Sequence, residues 1–266
     1  MNKARIITFA NNKGGCGKTT TAVNFAAALR GSGRDVLAVD MDGQANLTAC
    51  FGIPTGGASM FDALKDPAAP PIVPVRVMNP ADGAGVLDVL PASADLSAVE
   101  AGLVSEPDRL TRLRAYLEPY RGKYDCIIID TPPAVGLLTI GALFASDETI
   151  ITTQPQPLAV RGIISLRDAV ETLNRGGARV GSVRVLFCQF DRRKALHRIT
   201  AEQVQAAGFD VFRTKIRDNV ALGEASGVGL DVFRYAPKSN GAADYAAFLD
   251  EYQSTKPIKH TKHAKQ

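Results

Sequence analysis

The most constraining feature of this chain is a strand, a glycine-rich turn and a helix in immediate succession. They read "RIITFA" at residues 5–10, "NNKGGCG" at 11–17 and "KTTTAVNFAAALRGSG" from residue 18. The first run is rich in β-branched and apolar side chains and reads as a buried strand. Val23, Phe25, Ala26 and Leu29 then recur near helical spacing, and Gly31 and Gly33 stop the pattern. Between the two, Gly14, Gly15 and Gly17 let backbone N–H groups crowd around one concave turn. The helix N-terminus behind them adds its dipole, so the turn suits an anion.

Further along, short apolar runs alternate with helical patterns. Strands are expected at 35–42 (DVLAVDMD), 85–93 (GVLDVLPAS), 124–133 (YDCIIIDTPP), 148–155 (ETIITTQP) and 182–190 (SVRVLFCQF), with a weak one near 210–214. Helices are expected in "AVRGIISLRDAVETLNRGG" and in the closing "NGAADYAAFLDEYQ". Near-uniformly apolar strands separated by helices imply an α/β fold, a mostly parallel twisted sheet with helices on both faces. The Pro-, Gly- and Ala-rich stretch 65–85 reads as a surface excursion. We expect one domain over 1–253 and a basic, flexible tail over 254–266.

Composition narrows the class. At 266 residues, with 45% hydrophobic and 22% charged residues, the chain is expected to be a soluble globular protein with a sizeable core. It has no apolar run of the ~18 residues that a membrane span needs, and its start does not resemble a signal peptide. The four cysteines, Cys16, Cys50, Cys126 and Cys188, are scattered with no C-x-x-C pair. They are expected to be reduced cytoplasmic thiols, not a disulfide or zinc framework. A net charge of +4 leans mildly toward polyanions.

The turn nearly fits the phosphate-loop pattern G-x-x-x-x-G-K-[ST], with Asn12 where the first Gly should stand and an additional Lys13 after it. Lys18 is placed to reach β- and γ-phosphates, and the Thr19 hydroxyl to ligate Mg²⁺. Asp130 closes the apolar run "CIIID", a position from which a carboxylate holds that ion through water. Asp40 and Asp42 end the second expected strand beside the same crevice, and alternation would put both on one side.

Together, "KGGCGKTT", "VDMDGQANLT", "LDVLPAS" and "IIIDTPP" resemble the signatures of the ParA/MinD family of deviant Walker P-loop ATPases. "QFDRRKAL" and "DNVALGEASGVGLDVFRYAPKSNGAADY" resemble the C-terminal half of ParA-type (Soj-like) partition proteins. The resemblance covers nearly the whole chain. It implies ATP and Mg²⁺ as cofactors, with Lys13, Gly14, Gly15, Cys16, Gly17, Lys18, Thr19 and Thr20 around the phosphates; Cys16 would serve only through its backbone. It also implies that Lys13 crosses to the γ-phosphate of a partner subunit in an ATP-sandwich homodimer. Asp42 would orient the hydrolytic water, and Asp40 and Asp130 would sit behind the metal with Thr19. Slow hydrolysis, stimulated by a ParB-like or cargo-adaptor protein, is the family's expectation.

Three departures stand out. Gly43 replaces the proline that often follows the second aspartate, and "RDN" (217–219) replaces a "PRN" turn on the adenine side. Asn219 keeps its match, Arg217 stands where proline would, and Ala221 occupies an arginine position linked to DNA contact.

Three readings of the target follow. A ParA-like segregation ATPase, coating DNA nonspecifically on the nucleoid, would use cations among Arg192, Arg193, Lys194, Arg198, Arg213, Lys215 and Arg217. The first strand starts at Arg5, so no preceding helix-turn-helix module is expected. A MinD-like membrane ATPase needs a C-terminal amphipathic helix, which "STKPIKHTKHAKQ" does not offer, so no membrane partner is expected. A metabolic or reductase relative would bring paired cysteines, and none occur. A nucleotide-gated scaffold without useful hydrolysis is the non-enzymatic alternative.

Overall fold

A computed structural model describes residues 3–255, except 55, 69, 79–83 and 179. Its strands are β1 (Arg5–Ala10), β2 (Val36–Asp40), β3 (Val75–Met78), β4 (Leu87–Leu90), β5 (Cys126–Asp130), β6 (Glu148–Thr153), β7 (Ser182–Phe187) and β8 (Asp210–Val211). They form one sheet in the order β3-β4-β2-β5-β1-β6-β7-β8. Every pairing is parallel except that of β3 with β4.

The helices in chain order are α1 (Lys18–Gly31), α2 (Asn46–Cys50), α3 (Met60–Lys65), α4 (Leu96–Leu103), α5 (Arg112–Leu117) and α6 (Leu137–Ala145). There follow α7 (Ala159–Arg175), α8 (Ala195–Ala206), α9 (Val220–Gly227), α10 (Val232–Tyr235) and α11 (Asn240–Ser254).

Strand alternation sends successive side chains to opposite faces, and both faces are covered. Ile7, Phe9, Val36, Ala38 and Ile128 pack beneath α1 and α11. Ile6, Leu37, Val39, Ile127 and Ile129 face α3 to α6, while Ile151, Val185 and Phe187 meet α7 and α8. Phe25 on α1 is the pivot of the first layer, with ring centroids 5.8 Å from Phe9, 4.9 Å from Phe248 and 5.1 Å from Tyr252. Truncating so enclosed an aromatic costs about 3–5 kcal/mol.

Three expectations change in detail. The stretch expected to be irregular carries β3, which extends the sheet at its edge; Arg76 pairs there with Asp88 across the antiparallel ladder. Edge pairing overrides the prolines around it, since an edge strand tolerates missing donors on its outer side. The second strand ends at Asp40, so Asp42 lies beyond it on a turn. At the other end, α11 runs to Ser254, and residues 256–266 of the expected tail lie outside the described residues.

Because β1 sits between β5 and β6, consecutive units turn to opposite sides of it. That arrangement opens a crevice at the carboxyl ends of the strands, where α/β sheets place ligands.

Candidate functional site

Residues 11–17 leave β1 at that crevice and enter α1 at Lys18. Gly15 and Gly17 adopt positive φ values of 70° and 87°, which L side chains avoid. At Gly17 the space is closed as well, because a Cβ would lie 3.1 Å from Cβ of Cys188. Asn11 is buried and fastens the turn to the sheet: its Nδ2 donates to the Thr152 carbonyl at 2.6 Å, and its Oδ1 accepts the Lys13 N–H at 3.1 Å. The Cys16 thiol is buried and donates to the Lys13 carbonyl at 3.1 Å, which leaves its backbone to face a ligand. No acidic residue sits in the first turn of α1 and no side chain caps it, so its N–H groups and dipole are open to an anion.

The two lysines behave differently. Lys18 is buried and bends back over the turn, its Nζ donating to the Lys13 carbonyl at 3.1 Å. Lys13 is exposed, and its ammonium donates to Oε1 of Gln156.

Asp40 and Asp130 are register partners on β2 and β5, both fully buried. Asp130 Oδ2 accepts the Thr19 hydroxyl at 2.6 Å, while its Oδ1 is buried without a hydrogen-bond partner. Burial pushes both carboxyls upward, and the charge of Asp40 adds to the effect on Asp130. Asp40 is occupied on both oxygens. Its Oδ2 accepts the Thr48 N–H at 2.9 Å and hydroxyl at 2.7 Å, and its Oδ1 accepts the Asp42 N–H at 3.1 Å.

The orphaned oxygen of Asp130 beside the Thr19 hydroxyl fits a small divalent cation that brings its own oxygen ligands. Among the described residues no group of three or more His, Cys, Asp or Glu forms a metal cage. The donor set therefore suits magnesium arriving with phosphate, which keeps waters and takes few protein ligands.

Asp42 is nearly buried, and its Oδ1 accepts the Gln44 N–H at 3.0 Å, shaping the turn into α2. Ala45 in that turn has φ 51°, and Gln189 opposite has φ 54°; these are the only non-glycine residues with positive φ among the described residues. Both border the crevice, where strained backbone tends to concentrate. Gly43 explains the missing proline. A Cβ there would lie 2.2 Å from Ser97 Oγ and 3.2 Å from Ser97 N, in the first turn of α4. One turn later Glu100 accepts the Leu138 N–H at 3.2 Å, so α4 joins the Asp42 turn to the segment following Asp130.

On the other side of the phosphate turn lies a cavity of about 510 Å³, lined by Gly17, Thr20, Cys188, Ile216, Asn219 and Tyr245 among others. Asn219 shapes it by capping α9, its Oδ1 accepting the Ala221 N–H at 2.9 Å. Arg217 also lines it, but its guanidinium is taken by Asp244 of α11 at 2.6 Å, and its N–H bonds the same carboxylate at 2.9 Å.

The basic cluster divides. Arg192, Arg193, Lys194 and Arg198 are exposed, with Arg193 paired to Asp191 at 3.0 Å and Arg198 donating to the Arg192 carbonyl at 2.8 Å. Arg213 is exposed, 3.8 Å from Glu251. Lys215 turns inward and donates to the Phe212 carbonyl, and burial pushes its ammonium down to about 8.

Sequence reasoning did not single out Asn11, Thr48, Gln154, Gln156 or Gln189. Lone amides and hydroxyls carry no spacing signal, and bonds such as Asn11 to Thr152 and Gln154 to Gly15 join segments distant in sequence.

An AAA domain family model matches residues 4–179. The chain is 35% identical over 249 residues to the chromosome partitioning protein ParA of Myxococcus xanthus, covering 91% of this chain and 86% of that protein. It is 37% identical over 251 residues to the sporulation initiation inhibitor protein Soj of Bacillus subtilis, covering 93% and 97%. Among solved structures, a cobyrinic acid a,c-diamide synthase from Mycobacterium smegmatis with bound ADP and magnesium superposes with a TM-score of 0.79. The two are 29% identical, and the match covers 97% of this chain and 100% of that one.

Proposed function

This chain belongs to the ParA/MinD family of P-loop ATPases, and from that premise we propose that it works as a partition or positioning ATPase whose nucleotide site is completed by a second copy of itself. The observation that carries the reading is the contrast between the two loop lysines. Lys18 lies over its own turn, whereas Lys13 stands at the exposed rim and makes no ion pair among the described residues.

In this reading the turn's N–H groups and Lys18 bind the phosphates of ATP, and the 510 Å³ cavity beside Asn219 takes the base. Thr19 and Asp130 hold magnesium, with Asp40 bracing the Asp42 turn behind them. Bound there, the ion would supply positive charge to the phosphate oxygens. Asp42 orients the attacking water, and Lys13 of the facing copy stabilises charge on the transferred group. A hydrolysis step that depends on such assembly is slow until a ParB-like or cargo-adaptor protein stabilises the assembled form.

The outward cations Arg192, Arg193, Lys194, Arg198 and Arg213 supply a sequence-independent DNA surface, on the nucleoid, that is doubled by dimerisation. Lys215 and Arg217 are engaged within the fold and are left out of it. Retention on nonspecific duplex DNA tests the switch: it is expected with ATP and lost with ADP or high salt. Equal retention with both nucleotides would refute it.

The Mycobacterium smegmatis structure favours a second reading, an ATP-consuming synthase acting on an acid substrate. Turnover that required cobyrinic acid and ignored DNA would support that reading over the first. Among the described residues no helix is long and apolar enough to cross a bilayer, and the tail on which a MinD-like membrane contact would depend, 256–266, lies outside the described residues.

A further inference from the structure

Lys13 is held by a run of glutamines that the phosphate-loop pattern does not include. Its ammonium donates to Gln156 Oε1, Gln156 Nε2 donates to Gln154 Oε1 at 2.7 Å, and Gln154 Nε2 donates to the Gly15 carbonyl at 2.9 Å. Gln189 Nε2 reaches the same carbonyl at 3.4 Å, and its Oε1 accepts from Gln154. The bonds run in one direction, from loop residue 13 through two amides and back to loop residue 15. Their base is rigid, since Gln154 follows β6 directly and β6 pairs with β1, the strand that launches the loop.

The chemistry of the acceptor matters. An amide oxygen accepts from an ammonium without neutralising it. The cavity of about 460 Å³ that Lys13 and Gln156 share is also lined by Arg161, and no carboxylate lines it. A cation is thus held at a fixed place, with its charge uncompensated, in a cavity where the nearby ionic groups share its sign. An incoming anion would meet a charge that no carboxylate in this cavity neutralises.

We propose that Gln156 is a positioning residue for Lys13, holding its ammonium on the open side of the phosphate turn so that it is presented to the nucleotide of a second copy. The assignment rests on the shared-site reading above. Gln156 bonds Lys13 and Gln154, whereas Lys18 lies back over the phosphate turn itself.

The test compares Gln156→Ala, Gln156→Glu, Lys13→Ala and the double variant Lys13→Ala/Gln156→Ala in the full chain. Nucleotide affinity is read at concentrations where the chain is monomeric, and ATP-driven association and kcat are read separately. Gln156→Ala is expected to keep ATP affinity within about twofold and to lower association and kcat about three- to tenfold, the worth of one such hydrogen bond. Gln156→Glu keeps an acceptor but sets a carboxylate against the ammonium, so it is expected to lower association and kcat at least as far as Gln156→Ala, and recovery to wild-type values would overturn the assignment. The double variant is expected to be no worse than Lys13→Ala. Wild-type behaviour in Gln156→Ala, loss of monomer ATP affinity, or an added loss in the double variant would overturn the assignment. If Lys13→Ala itself associates and turns over normally, the shared-site reading falls instead, so the two failures are distinguishable.

Discussion

The Thr19 hydroxyl donates to Asp130 Oδ2 at 2.6 Å, joining the first turn of α1 to the end of β5 across the phosphate turn. It leaves the second Asp130 oxygen buried with no partner. A buried, unpaired carboxylate oxygen is expensive, and its place beside a hydroxyl and a loop suited to phosphate marks where a cation would relieve that cost. Thr19→Ala is therefore expected to remove most of the gain in nucleotide affinity that magnesium brings, roughly tenfold for the missing ligand. Titrations in magnesium and in EDTA measure that gain, and an unchanged ratio between them would contradict the assignment.

Asp42 is held away from the phosphate turn's own bonds, on a turn fixed by its hydrogen bonds to Asp40 and Gln44. Asp42→Ala should keep ATP binding and abolish hydrolysis. Normal phosphate release by this variant would remove Asp42 from the chemistry.

Gly43 makes a structural prediction. A methyl group there collides with Ser97, and small-to-large changes in packed surroundings cost about 1–3 kcal/mol. Gly43→Ala should lower the melting temperature, and adding Ser97→Gly should restore part of the loss. A Gly43→Ala protein as stable as the parent would mean that α4 moves freely and does not hold the Asp42 turn.

Arg192 and Lys194 are exposed and make no ion pair among the described residues. The double alanine variant should weaken retention on nonspecific duplexes with ATP bound. It should also flatten the dependence on salt, by about one unit of slope for each phosphate that is no longer neutralised. Unaltered salt dependence would place the DNA surface elsewhere.

Much of this site was legible because local chemistry dictated it. Glycines with a following Lys18 and Thr19, and carboxylates closing the apolar runs of β2 and β5, announce themselves in any single stretch. The sheet was legible for the same reason, as buried parallel strands read as continuous apolar runs. What escaped notice depends on partners far apart in the chain. β3 lies among prolines and is a strand because Arg76 and its neighbours pair with β4. Arg217 reads as a free cation until Asp244 arrives from α11. Gly43 reads as a missing proline until Ser97 occupies the space a side chain would need. Gln156 had no motif to mark it, since its role depends on where β6 delivers it beside Lys13.

The central claim is that the phosphate turn is half of a shared site, and the molecular mass of the chain in solution tests it most directly. Light scattering on the hydrolysis-deficient Asp42→Ala protein is expected to give a dimer with ATP and magnesium and a monomer with ADP, with Lys13→Ala added in the same background returning it to monomer. A mass that ignores the nucleotide, or a dimer that survives loss of Lys13, would contradict the account.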